Sequence, residues 1–205
     1  MDEHPTAKLF GNVDGPRNTR ERILFEALDL FYTYGFHAVG LDQVLDGAQL
    51  TKTTFYNHFE SKDELVREAI ALRDEWESQA FMRALRDKGG YDPEALLMAC
   101  FDVLHDWFNE PRYQGCLFLM AMADYPLPSH PVHAAAANHY LVTREELAKM
   151  AKATGATEAD ALAHQWLQLI IGAVAAFLLD RDPTAASTAR EMAAPVLAAH
   201  LGTSS

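Results

Sequence analysis

Residues 41–62 read LDQVLDGAQLTKTTFYNHFESK. Val44, Leu45 and Ala48 give one apolar face to a short helix that Asp42 can start, and Leu50 is the single apolar residue of the turn that follows. A second helix begins almost at once, because Thr51 is a good N-cap whose side-chain oxygen can accept from the free amides of a first turn. Phe55 and Phe59 stand four residues apart, share a face and can both pack inward. That leaves Lys52, Thr53, Thr54, Tyr56, Asn57 and His58 pointing elsewhere. A merely solvated face would carry Glu and Lys more often than Tyr, Asn, His and paired threonines. The set suits a nucleic-acid groove, with Lys and Asn for base edges, Thr, Tyr and His for phosphates, and Thr methyl groups for apolar contact. Ser61 can cap a third helix, with Glu64 at the capping-box position and Lys62 in its first turn. Free amides at such an N-terminus can also hold a phosphate. Two short helices meeting at a turn, the second polar and aromatic, have the layout of a helix-turn-helix reader of DNA.

At these residues the chain resembles the tetracycline-repressor (TetR) family of one-component transcriptional regulators. The run LTKTTFYNHFESKDELVREAI, residues 50–70, is similar to that family's recognition helix and the start of its fourth helix. The likeness weakens after about Leu72. Two departures stand out: the turn position that is usually Gly in the family is Gln49, and Gly47 sits inside the preceding helix. A non-glycine residue in a left-handed turn costs about 1 kcal/mol, so a slightly altered turn is expected. The competing reading is an incidental helical hairpin with polar surface residues.

Composition bounds the rest. A chain of 205 residues with 49% hydrophobic and 10% aromatic content can build one large domain or two small ones. It has no run of eighteen consecutive apolar residues, and the start MDEHPTAK lacks the apolar centre of a signal peptide. A cytoplasmic protein with no membrane partner is therefore expected. Cys100 and Cys116 are too few for a disulfide framework. They read as small buried hydrophobes, with a thiol sensor as the alternative.

Charge argues against DNA. The net charge is −12, divided as −2 over residues 1–14, −2 over residues 15–67 (six basic, eight acidic) and −8 over residues 68–205. Placement answers the objection: Arg17, Arg20 and Arg22 cluster at the start of the first long helix, and Lys52 and Lys62 bracket the recognition helix. Few phosphates would be neutralised, so specific binding would rest on base contacts and dimeric avidity. The residues assigned to DNA are Arg17, Lys52, Thr53, Thr54, Tyr56, Asn57, His58 and Lys62.

Taken in order, residues 1–15 show Pro5, Gly11 and Gly15 and no periodic apolar face, which reads as a mobile arm. Pro16 or Asn18 opens a helix to about Tyr34, ended by Gly35. Asp63 to about Arg86 is one long helix stopped by Lys88-Gly89-Gly90; the resemblance makes it the connection between DNA-binding and ligand-binding domains, with the boundary near Glu68. Pro93 starts a helix ended by Pro111, GCLFLMAMAD (115–124) is apolar through most of its length, and YPLPSHP (125–131) is an irregular connection. Helices then run over about 133–154, 158–180 and 183–201, with no strand pattern anywhere. The expected protein is all-α: an N-terminal three-helix bundle with the helix-turn-helix (16–67) behind the arm (1–15), and a larger C-terminal helical domain for ligand binding and dimerisation (68–205).

The last two helices carry small residues at 169–177 and an alanine-rich stretch, Ala189–Ala199, that permit close helix approach. The resemblance implies that the helices at 158–180 and 183–201 form a homodimer, so that two recognition helices meet a near-palindromic operator on double-stranded DNA. An apolar effector pocket is drawn from Trp76, Phe101, Trp107, Phe108, Phe118, Met122 and Tyr125, with His105 and His139 as polar anchors. Each aromatic is also an ordinary core residue. Histidines 130, 133 and 139 lack metal-ligand spacing, so no metal or other cofactor is expected. No catalytic set is readable either. Three functions compete: a DNA-binding repressor released by a small apolar or amphipathic effector, an all-helical small-molecule binding protein or enzyme with an incidental helix-turn-helix, and a DNA-bound activator or effector-independent repressor, which shares every feature with the first.

Overall fold

The structure, a computed structural model of the chain, describes residues 4–11 and 14–202. Among these the regular structure is helical throughout: α1 (Pro5–Leu9), α2 (Thr19–Tyr34), α3 (Leu41–Ala48), α4 (Lys52–Tyr56), α5 (Lys62–Gly89), α6 (Pro93–Phe108), α7 (Leu117–Asp124), α8 (Pro131–Ala153), α9 (Ala159–Asp180) and α10 (Thr184–Leu201). The chain is thus all-α. It forms two compact units, one taking the chain up to Ala80 with Cys116–His139, the other Phe81–Gly115 with the chain from Tyr140 onward.

In the first unit, α2 starts where Asn18 accepts from the Glu21 amide at 2.9 Å and stops at Gly35, whose φ of 83° is open to glycine. Its apolar stripe buries Ile23, Leu24, Ala27, Leu28 and Phe31. Phe55 and Phe59 fill the space beside it, their rings stacked 5.4 Å apart, and Leu65, Val66, Ala69 and Ile70 of α5 close the core. Two arginines in the first turn of α2 fasten this core. Arg20 pairs with Glu68 and lies over the Phe59 ring at 4.7 Å, while Arg22 donates to the Ala48 carbonyl at 2.6 Å and so completes the end of α3.

The arm needs correction at residues 4–11. Pro5–Leu9 is helical, and Thr6, Ala7 and Phe10 are buried. Asp29 of α2 holds the start of this helix, accepting from the Thr6 amide at 2.9 Å and pairing with His4 Nδ1 at 3.2 Å. The Phe10 ring covers the guanidinium of the buried Arg73 at 3.5 Å. One turn with three inward residues is too short to register as a periodic stripe. Residues 1–3, 12 and 13 of the arm lie outside the described residues.

In the second unit, Asp92 caps α6 by accepting from the Glu94 amide at 3.0 Å, with Pro93 at the first helical position. Helices α6, α9 and α10 pack together. Trp166 anchors α9 to α6 by donating its indole N–H to the Leu97 carbonyl at 3.0 Å, with Phe101 against its ring. Phe108 stacks on Phe177 at 4.4 Å, and Arg190 of α10 pairs with Asp102 at 3.1 Å. Arg181, at φ 61°, ends α9 in a left-handed conformation. Helix α9 is long and apolar enough to cross a membrane by composition, with mean hydropathy 1.7 over its richest window, but only 33% of that window is buried. Much of its apolar surface therefore lies open.

Candidate nucleic-acid interface

The helix-turn-helix is built from α3 and α4. Helix α3 begins at Leu41, one residue before the expected starter: Gly40 is the cap and the Gln43 side chain accepts from its amide at 2.7 Å. Gln49 ends α3 at φ 56°, ψ 47°, with the Leu50 amide donating back to the Leu45 carbonyl at 2.9 Å. This is the left-handed C-cap that glycine favours, carried here by glutamine without distortion of the turn. Gly47 also has a local cause, since a side chain there would collide with the Glu26 carboxyl lying across it. Glu26 is itself held above its ordinary pKa, first by burial and then by Asp29, against an opposing pull from His4.

Thr51 caps α4 as its sequence position predicts, accepting from the Thr54 amide at 3.2 Å. The regular helix is brief, but amides of Asn57, His58 and Phe59 still donate to Thr53 and Phe55 carbonyls, so the turn runs on to Phe59. Phe55 and Phe59 are 0% and 2% exposed, which fixes the other face outward. Lys52, Thr53, Tyr56 and Asn57 are exposed there, Tyr56 at 61%; Thr54 and His58 are half-buried. The Thr54 hydroxyl lies 2.9 Å from that of Thr51 and so belongs to the cap. Ser61 accepts from the Glu64 amide at 3.1 Å to start α5, and the Glu64 carboxylate reaches back to the Glu60 amide, one residue earlier than a standard capping box.

The cations divide. Arg17 is exposed beside the start of α2. Lys62 turns inward: its ammonium donates to the Phe36 carbonyl at 2.7 Å and lies 5.9 Å from the Phe31 ring. Burial lowers its pKa, opposed by Asp63 and Asp124. The Phe36 amide in turn donates to the Asp124 carboxylate at 3.1 Å, so the segment between α2 and α3 is gripped from both sides. Lys52 is paired across the turn with Asp42, at 2.9 Å from Oδ1 and 3.3 Å from Oδ2. Reading the sequence assigned Asp42 only to starting α3; a contact ten residues away across a turn has no periodic signal to reveal it.

The nine residues named for an effector fall in both units. Trp76, Phe118, Met122, Tyr125 and His139 belong to the first, Phe101, His105, Trp107 and Phe108 to the second. In the first, Trp76 packs edge-on to Phe25, Phe118 stacks on His139 at 3.7 Å, and His139 Nδ1 lies 2.7 Å from Asp74. In the second, Trp107 packs on Phe81 and exposed His105 meets the Pro183 carbonyl at 3.3 Å. An open cleft of about 770 Å³ instead lies along α9 and α10, lined by Leu169, Gly172, Ala176, Leu179, Ala189 and Met192 among others, and none of the nine lines it. No group of three or more metal-ligating side chains occurs among the described residues. Cys100 is buried, and its thiol is pushed up to about 12 by that burial, which leaves little reactive thiolate near neutral pH.

Comparison with known proteins places this geometry. Residues 23–69 match the model of the family described as "Bacterial regulatory proteins, tetR family", and residues 93–193 match "Tetracyclin repressor-like, C-terminal domain". The HTH-type transcriptional regulator YjdC of Escherichia coli strain K12 is 23% identical over 178 residues, covering 87% of this chain and 93% of its own. The HTH-type transcriptional activator FasR of Mycolicibacterium smegmatis is 41% identical over 51 residues, 24% of this chain and 23% of its own. Among solved structures, SCO4454, a TetR-family transcriptional regulator from Streptomyces coelicolor, superposes with a TM-score of 0.79 at 29% identity, covering 90% of this chain and 96% of that one. With a helix-turn-helix whose polar face is locked outward and both family regions matched, the chain belongs to the TetR family of transcriptional regulators.

Proposed function

We propose that the protein is a homodimeric repressor that binds a near-palindromic operator and is released by a small apolar or amphipathic effector. The observation that carries the DNA reading is the α4 surface: Lys52, Thr53, Tyr56 and Asn57 exposed on a helix whose opposite side, Phe55 and Phe59, is sealed into the core. Thr54 and His58 of the same segment are half-buried, and Arg17 is exposed beside the start of α2. Lys62 shapes the bundle through Phe36 and keeps further N–H donors for a phosphate. The DNA-reading part occupies residues 16–67 and the effector and dimer parts residues 68–205. Open small-residue surface on α9 and α10 supports a dimer there. Gln165, Gln168, Asp180 and Asp182 along the same cleft favour a protein partner over lipid. An effector weakens DNA binding only if it favours a dimer whose recognition helices are wrongly placed for the operator.

Selection from a random duplex library with the purified protein tests the reading. A palindrome with half-sites about one helical turn apart is expected, and Asn57→Ala should relax preference at particular base pairs while Tyr56→Ala weakens all sequences alike. A folded dimer that enriches no site would overturn the reading in favour of a small-molecule binding protein or enzyme. The sign of regulation is read separately with the selected site placed in a reporter promoter, since the FasR match lies in a protein named as an activator.

A further inference from the structure

The helix-turn-helix carries a paired lysine on its exposed surface. Lys52, the first residue of α4, is held by both carboxylate oxygens of Asp42, in the first turn of α3, at 2.9 and 3.3 Å. Their side chains are 63% and 71% exposed, so the pair sits on the open surface beside Thr53, Tyr56 and Asn57. We propose that Asp42 is a positioning residue for sequence readout, which keeps Lys52 off the phosphates and directs it to a base edge; this rests on the DNA reading above.

The physical argument concerns what an unpaired lysine does. An ammonium on a four-carbon stem is a mobile point charge that binds any phosphate within reach, and each such contact adds affinity without sequence information. A carboxylate that takes up part of the ammonium's donors fixes its position. Its own negative charge repels phosphate oxygens while leaving a remaining N–H free for an acceptor on a base. The Asp42 hydrogen bond is also the largest cause of the raised Lys52 pKa, so the ammonium stays charged. Three of the five other cations of residues 15–67 are likewise held by this chain: Arg20 is bound to Glu68, Arg22 to the Ala48 carbonyl and Lys62 to the Phe36 carbonyl, while Arg17 and Arg67 are exposed. A region of six basic and eight acidic residues thereby reads DNA with little general attraction to it.

The test compares affinity for the selected site with affinity for random duplex across a salt series, in the full-length wild type, Asp42→Asn, Lys52→Met and the double variant. Asp46→Asn serves as a charge control, because Asp46 is exposed on the same helix and is not a partner of Lys52. Asp42→Asn is expected to tighten random-duplex binding, to steepen the salt dependence by about one unit, and to lower the ratio of specific to random affinity about tenfold, the scale of one mismatched base pair. Lys52→Met should lose the same base preference, and adding Asp42→Asn to it should change the ratio no further. Asp42→Ser, which puts a smaller neutral side chain at the same first-turn position, should reproduce the result, with circular dichroism showing the helices intact. If Asp42→Asn shifts all duplexes equally, as Asp46→Asn should, the positioning role is overturned and only general charge remains. A wild type that selects no site overturns the DNA reading itself, an outcome distinct from a selected site indifferent to Asp42.

Discussion

At the scale of single residues, two positions carry conformational or electrostatic cost in exchange for geometry. Gln49 holds a left-handed cap at φ 56° with a side chain that disfavours it. Gln49→Gly is therefore expected to stabilise the fold by about 1 kcal/mol, read as a higher midpoint in urea with an unchanged slope; no change would mean the glutamine side chain compensates elsewhere. Glu26 lies against Gly47 with a pKa raised by burial and by Asp29. A carboxyl whose folded pKa is raised stabilises the fold at low pH and loses that contribution as pH rises through the folded value. The ionised group at neutral pH is thus a cost, and Glu26→Gln should raise the melting temperature there. The gain should shrink as pH falls toward the ordinary glutamate range, about 4.3. A gain that is constant with pH would assign the effect to packing.

At the scale of elements, the sequence was most readable where a pattern is periodic or a cap is chemical. Asn18, Thr51, Ser61 and Pro93 mark helix starts that the structure keeps, and Gly35 and Gly90 mark stops. The four-residue spacing of Phe55 and Phe59 is enough to orient α4. What stayed hidden were contacts between residues far apart in sequence: Lys52 with Asp42, Arg22 with the Ala48 carbonyl, Lys62 with the Phe36 carbonyl. Long polar side chains have no preferred burial period, so the pattern of the sequence does not show which carboxylate or carbonyl each of them meets. Helix α1 was hidden for a related reason, being a single turn held by Asp29 and by Phe10 on Arg73. Phe10 is 1% exposed, and Phe10→Ala is expected to cost about 3 kcal/mol. It removes both the buried ring and one aromatic cover of the buried Arg73 guanidinium. A loss below about 0.5 kcal/mol, the scale of ordinary surface substitutions, would return residues 4–11 to the status of a free arm.

At the scale of the whole molecule, the open apolar surface of α9 and α10 is the feature a monomer does not need. Leu179 is 87% exposed and Met192 57%, and both line the cleft with Gly172, Ala176 and Ala189. Apolar surface of this kind is stabilising only when covered, and the small residues between the larger ones let a second pair of helices approach closely. Because Leu179 contributes almost no buried area within one chain, Leu179→Asp should leave the helical content of the monomer intact. If a second copy covers this surface, the substitution should nevertheless convert dimers to monomers in light scattering. Operator affinity should then fall by about 10²- to 10⁴-fold, the loss expected when two linked half-site contacts become independent. The two readouts must move together: a variant that stays dimeric with full affinity places the interface elsewhere. One that becomes monomeric yet keeps its affinity shows that a single helix-turn-helix suffices, which would remove the two-fold symmetry from which the palindromic operator was inferred.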